Sequence, residues 1–224
     1  TYRTLSSASE TFSLDYYTDA TQTTTTSEIE QYENAFSVSY FPGRKMTGFG
    51  VERRLANDGF PSLFAQVTRG DKAVLNSDFD YTKVQFSYIQ PWQVGGYGRL
   101  TTTLEAGKTF GDVPLGLLNV VPGNQSYFSI YNTFSQLDYY EFVTDTYTSL
   151  HLEHNFNGRF FSRIPFLRKL NLREIVGIRG VWGDISQSNR DLNASGLTYL
   201  APTNEVDNPN ARNFGVTGSF GFNF

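Results

Sequence analysis

Two histidines and a scattering of carboxylates are the residues best suited to acid–base or metal chemistry, and their spacing argues against both. His151 and His154 flank Glu153, whereas a helical zinc-protease site needs His and Glu side by side and a second His four residues after the first. On a strand, residues three apart face opposite ways, so these two histidines are not expected to share a metal ion. Asp78 with Asp80, and Glu141 with Asp145, have the spacing of an acid–base pair or a calcium site, yet such charges are routine on any wetted polar face. Cysteine is absent, which removes thiolate catalysis, thiolate metal sites and disulfides. No Gly-x-Ser-x-Gly turn occurs, and two histidines so placed lend a Ser-His-Asp triad little support. The sequence therefore predicts no catalytic, cofactor-binding or metal-ligating residue. A net charge of −4 and a pI near 5.2 argue against a nucleic-acid partner, which would call for clustered Lys and Arg.

The elements that carry these residues are dominated by aromatic side chains. Phe (20) and Tyr (14) outnumber Trp (2) and Met (1); aromatic residues favour strands and populate the interfacial girdles of membrane barrels. Mean hydropathy is negative, and no run approaches the roughly 18 apolar residues that a membrane-spanning helix requires. If the chain crosses a bilayer, strands must do it.

Period-two alternation is strictest at the end, where Phe214, Val216, Gly218, Phe220, Phe222 and Phe224 take every second position between small or polar residues. The same pattern recurs at Phe12, Leu14 and Tyr16, at Phe36, Val38 and Tyr40, at Val84, Phe86 and Tyr88, at Leu100 to Ala106, and at Leu150 to Phe156. The opposite parity is polar, as in Arg99, Thr101, Thr103 and Glu105, or Ser149, His151, Glu153 and Asn155. Charges on that parity suit a watery lumen better than the dry core of a soluble sandwich, which would otherwise give the same alternation. Pro42 to Lys45 and Val94 to Gly98 read as compact turns; the runs 22–27, 56–61 and 186–212 read as longer polar loops. Short turns on one side and long loops on the other predict roughly nine or ten strands of an antiparallel, all-β transmembrane barrel of the outer-membrane type, or the C-terminal part of a larger one. Residues 1–224 are expected to form that single domain. Phe160 to Leu170 is expected to make one irregular helical turn, with Arg163, Arg168, Lys169 and Arg173 in water or against lipid phosphates.

The chain opens at Thr1 without an apolar leader, so any export signal is expected to have been removed or to lie outside it. Phe214, Val216, Phe220, Phe222 and Phe224 form the terminal strand pattern that outer-membrane barrels present to their assembly machinery, which makes that machinery and outer-membrane lipids the first expected partners.

The motifs Pro122-Gly-Asn-Gln-Ser-Tyr, Asn132-Thr-Phe, Tyr139-Tyr-Glu-Phe-Val-Thr-Asp145, His154-Asn-Phe-Asn-Gly158, Arg163-Ile-Pro-Phe-Leu-Arg-Lys-Leu170 and Leu172-Arg-Glu-Ile-Val176 resemble a family of Bacteroidetes outer-membrane proteins of unknown function. Asp207-Asn-Pro-Asn-Ala-Arg-Asn-Phe-Gly-Val216 is similar to that family's last hairpin. The resemblance implies a barrel preceded, in the whole protein, by a carboxypeptidase-regulatory-like domain, with other barrels and lipoproteins as partners in an envelope complex. It also implies a strand pair between Asp191 and Asn208, where only Leu197-Thr-Tyr-Leu200 offers itself. More remotely, Gly177-Ile-Arg-Gly-Val-Trp182 is similar to the Arg-Gly-aromatic loop of BamA and TamA assembly barrels, with Val181 interrupting it. That likeness implies a lumen-directed Arg179 followed by Gly180, and outer-membrane assembly as an alternative role beside passive solute passage. In such a protein the acceptor patterns Asn124-Gln-Ser126 and Asn193-Ala-Ser195 carry little meaning.

Overall fold

Strict alternation yields long strands here, and broken alternation yields short hairpins at their ends. The computed structural model describes residues 1–6, 15–19, 21–56, 59–123, 133–134, 137, 143–170, 172–194 and 213–223; for 55–56 and 213–223 the backbone alone is described. In chain order the strands are β1 (Tyr2–Leu5), β2 (Tyr16–Tyr17), β3 (Thr25–Thr26), β4 (Ile29–Tyr40), β5 (Lys45–Thr47), β6 (Arg54–Ala56), β7 (Ser62–Gly70) and β8 (Tyr81–Gln93). They continue with β9 (Arg99–Phe110), β10 (Asn119–Val120), β11 (Val143–Thr144), β12 (Thr146–Asn155), β13 (Arg173–Asp184) and β14 (Asn213–Asn223). Two short helices, α1 (Pro165–Arg168) and α2 (Gln187–Leu192), flank β13.

The fold is all-β and antiparallel. One sheet of eight strands runs β1-β4-β7-β8-β9-β12-β13-β14, while β2-β3, β5-β6 and β10-β11 form three small two-stranded sheets in its connections. Each long strand pairs with the next long strand in sequence, so the large sheet is a meander built from local hairpins. The register is continuous: Leu63↔Tyr88, Tyr88↔Leu104, Leu104↔Leu150 and Leu150↔Gly180 form one row across five strands. Among the described residues no pairing joins β14 to β1.

Connections at the two ends of the sheet differ. At one end lie 41–61, 94–98 and 156–172; at the other lie 6–28, 71–80, 111–145 and 185–212. Gly98 closes the tight 94–98 turn with φ of 96°, a conformation open to glycine and strained for other residues. Pro42–Gly43 turns not into β7 but into the β5–β6 hairpin, so the expected compact turn is the start of a longer connection. Tyr16, expected on a barrel strand, belongs to the small β2–β3 sheet and is buried; Phe12 and Leu14 lie outside the described residues.

The apolar core sits inside the long-loop end rather than within the sheet's apolar face. Ile29 and Tyr81 from the wall meet Val113, Leu115, Leu117, Leu118, Val143 and Ile185 from the loops. A second cluster joins Val181 to Val121, Phe134 and Leu137.

Candidate functional site

Alternation divides the sheet into two chemically distinct faces. On β8, β9, β12 and β13 the odd-numbered residues face inward. Among them are Lys83 and Gln85, Thr103 and Glu105, Tyr147, Ser149 and His151, and Arg179 and Val181. Close packing of this wall needs glycine opposite the larger rings. A methyl group at Gly107 would come within 2.5 Å of the Tyr147 ring, which lies across it.

Against the wall lies the connection between β9 and β12. Its run Val113-Pro-Leu-Gly-Leu-Leu-Asn-Val-Val121 is apolar without a period, so as a loop it must find cover, and the interior supplies it. Val113 is 0% exposed, and Leu115 and Leu117 are equally buried. Polar groups fasten the segment in place. Val113 N donates to Asn189 Oδ1 at 2.8 Å, and Leu115 N to Asn193 Oδ1 at 2.8 Å. Lys83 Nζ donates to the Leu117 carbonyl at 2.8 Å, and Arg179 Nη1 to the Thr133 carbonyl at 2.6 Å. The Phe134 ring packs on His151, with centroids 4.8 Å apart.

Asp145 completes the clamp. Its carboxylate accepts from Ser186 N at 2.7 Å, Asn189 Nδ2 at 3.0 Å and Thr146 Oγ1 at 3.0 Å. Burial pushes this carboxyl up, and the hydrogen bonds from Ser186, Asn189 and Thr146 outweigh that effect, holding its pKa below the usual carboxylate range.

Between the inserted segment and the wall remains a cavity of about 560 Å³, bordered by Gln85, Glu105, Tyr147 and Ser149 on one side and by Val121 and Phe134 on the other. It presents a carboxylate, an amide and hydroxyls to a partly aromatic space, a surface suited to holding water or a small polar solute. Beside it, His151 Nδ1 is buried and has no hydrogen-bond partner among the described residues. Among the described residues no three of His, Asp or Glu converge closely enough to hold a metal ion.

The outward face, even-numbered on β4, β8, β9, β12 and β13 and odd-numbered on β7, is the reverse of this interior. Phe36, 71% exposed, begins an apolar surface that continues through Val38, Val67, Val84 and Phe86 to Leu150 and to Ile178, 55% exposed. Charged residues on this face keep to its margins, as with Arg69 and Lys108 at the long-loop end.

The residues singled out in the sequence fall as follows. Arg179 faces inward and is buried, donating to the Thr133 carbonyl of the inserted segment. Gly180, facing the other way, pairs in register with Leu150 and Val216. His151 and His154 lie on opposite faces as their spacing requires; His154 Nε2 meets the Tyr97 carbonyl at 2.8 Å. Asp78 and Asp80 accept backbone N–H groups from Glu30 and Lys72, each closing a loop instead of forming a pair. Asn193, buried in the clamp, is 8% exposed. Phe214, Val216, Phe220 and Phe222 lie on β14 with alternating register against β13; Phe224, like Asn124, Glu141 and Leu197 to Leu200, lies outside the described residues. The clamp residues Asp145, Asn189 and Asn193 were not singled out together, and the one signal for them was the unpatterned apolar run they hold.

No curated protein and no solved structure matches the chain. Residues 2–189, most of its length, match the model for the C-terminal domain of a family of unknown function (DUF5686), and the chain belongs to that family.

Proposed function

We propose that this chain is the membrane-embedded, internally plugged barrel of a non-enzymatic bacterial outer-membrane protein, acting as a subunit of an envelope complex. The observation that carries the reading is the inside-out distribution of side chains. Large apolar residues from β4 through β13 share one continuous exposed face, while Gln, Ser, Thr, His and Arg side chains are buried on the other. A water-soluble protein rarely exposes so extended an apolar patch, whereas a barrel in hydrocarbon requires one. Closure belongs to the proposal. In a bilayer the free edges of β1, β4 and β14 would leave backbone groups unsatisfied at several kcal/mol each, and pairing β14 with the first strands removes that cost.

The long connections would face outward and the shorter ones the periplasm, following the usual asymmetry of such barrels. The apolar residues Val113 to Val121 and Phe134, buried in the interior and tied to the wall, favour a structural or partner-binding role over free solute passage. The clamp and the cavity are then features of a rigid, filled barrel, and the work falls to its loops, its partners and any domain joined to it.

The test is to recover the native protein from cell envelopes in mild detergent. The expected result is an outer-membrane protein that resists carbonate extraction, migrates differently on gels before and after heating, and brings stoichiometric envelope partners identified by mass spectrometry. A protein released by carbonate would sink the membrane reading. A heat-modifiable barrel that purifies alone would remove the complex while leaving the barrel.

A further inference from the structure

The connection 156–172 has a surface that the barrel does not use. It holds a 3-10 turn (Phe161–Arg163) followed by α1, begun by Pro165 at its first turn and anchored at its base by Phe161 N donating to the Glu174 carboxylate. Phe160, Ile164 and Leu170 are about half exposed and Phe166 is 76% exposed, although each is large and apolar. Interleaved with them, Arg163, Arg168 and Lys169 border an open cleft with Ser162 and Pro165. Among the described residues none of these three cations is ion-paired. Apolar anchors and unpaired cations on one short segment have the composition of a membrane-interface element.

Position agrees with composition. The segment joins β12 to β13 at the short-turn end of the sheet, where the outward apolar face gives way to aromatic and basic residues. Trp92, Leu100, His154 and Val176 form the last outward row in register. There the His154 ring leans on Phe156 and Phe156 meets Phe160 edge to face, with centroids 4.1 and 5.1 Å apart, and the Arg159 guanidinium lies 4.1 Å over the Tyr97 ring. Such a belt marks the depth of lipid headgroups.

We propose that the 156–172 connection is an interfacial anchor whose cleft, formed by Ser162, Arg163, Arg168 and Lys169, binds the phosphate of an anionic phospholipid headgroup while Phe160, Ile164, Phe166 and Leu170 enter the acyl boundary. The inference rests on the barrel reading, since only a sheet that spans the bilayer puts this connection at headgroup depth. The phospholipid source follows from the periplasmic side assigned to the short connections.

The experiment reconstitutes the whole chain in nanodiscs of equal parts phosphatidylcholine and phosphatidylglycerol and measures, by native mass spectrometry, the lipids retained on release. Wild type is expected to retain phosphatidylglycerol in preference, and the triple variant Arg163→Gln, Arg168→Gln, Lys169→Gln to lower that preference by up to about a hundredfold, since each basic residue near a charged membrane surface contributes independently. A control that neutralises Lys45, Arg53 and Arg54, on the β4–β7 connection at the same end of the sheet, is expected to keep the wild-type preference. Heat-modifiable migration, read in parallel, reports barrel integrity. An inserted, heat-modifiable wild type without preference for phosphatidylglycerol, or a triple variant that keeps it, overturns the anchor alone. Loss of the retained lipid on adding inorganic phosphate at low concentration overturns the lipid as source in favour of a free anion. A wild type that does not insert overturns the anchor together with the barrel.

Discussion

The Asn189 side chain spans two groups that come from opposite ends of the inserted segment: its Oδ1 accepts from Val113 N at 2.8 Å and its Nδ2 donates to the Asp145 carboxylate at 3.0 Å. Asn189 is itself 1% exposed, so neither bond has water as a substitute. Replacing Asn189 with Ala strands a buried N–H and removes one donor from Asp145, at about 1–3 kcal/mol for the unsatisfied group. The expected outcome is faster amide hydrogen exchange at Val113 to Val121, with β8, β9 and β12 unchanged. Equal loss of protection in the strands would mean that the segment is not a separate unit but part of the wall.

Acid should act through the same carboxylate. Because the folded Asp145 carboxyl has a pKa below its unfolded value of about 3.9, its stabilising contribution is complete above that value and is lost as pH falls through the lower, folded one. Exchange or limited proteolysis within 111–145 is therefore expected to rise only in that strongly acidic window, and Asp145→Asn to flatten the dependence. A wild-type segment whose protection is insensitive to acid would remove Asp145 from the clamp.

Arg179 makes a parallel claim for the other half of the segment. Arg179→Ala removes the hydrogen bond to the Thr133 carbonyl and the bulk beside His151 and Phe134, and in proteoliposomes it should admit small sugars faster than wild type. Swelling assays decide it. Equal rates in wild type and variant would show that this contact does not govern the lumen.

The outward face offers the sharpest discrimination between bilayer and water. Phe86→Arg or Leu150→Arg should each cost about 2–4 kcal/mol if the residue sits near the bilayer midplane, against less than about 0.5 kcal/mol for an exposed side chain in water. Urea unfolding of the folded protein in lipid measures the difference, and near-wild-type midpoints for both variants would argue against hydrocarbon contact.

Much of the sheet was legible because its signal is local. Phe36, Val38 and Tyr40, Val84, Phe86 and Tyr88, and Leu100 to Ala106 each show the alternation that the pleat imposes, and hairpin connections make sequence neighbours into sheet neighbours. His151 and His154 could be separated on spacing alone. The helical turn around Pro165 was likewise readable from its proline and its lack of alternation.

Other features carried no local signal. Tyr16 has strand-like neighbours, yet the loop core at the long-connection end captures it, since burying its ring beside Ile29 and Tyr81 outweighs extending a strand. Asp145, Asn189 and Asn193 lie apart in sequence, and each alone is an unremarkable polar residue; only the folded chain puts a side-chain amide opposite Val113 N and another opposite Leu115 N.

By itself the sequence determined that the chain forms antiparallel strands with one apolar and one polar parity, because a two-residue period is written directly into the order of side chains. Tertiary structure alone decided what fills the space behind the polar parity. Burial of the Val113–Val121 run depends on partners brought from distant strands and from α2, and the desolvated hydrogen bonds that hold it exist only once those elements have met.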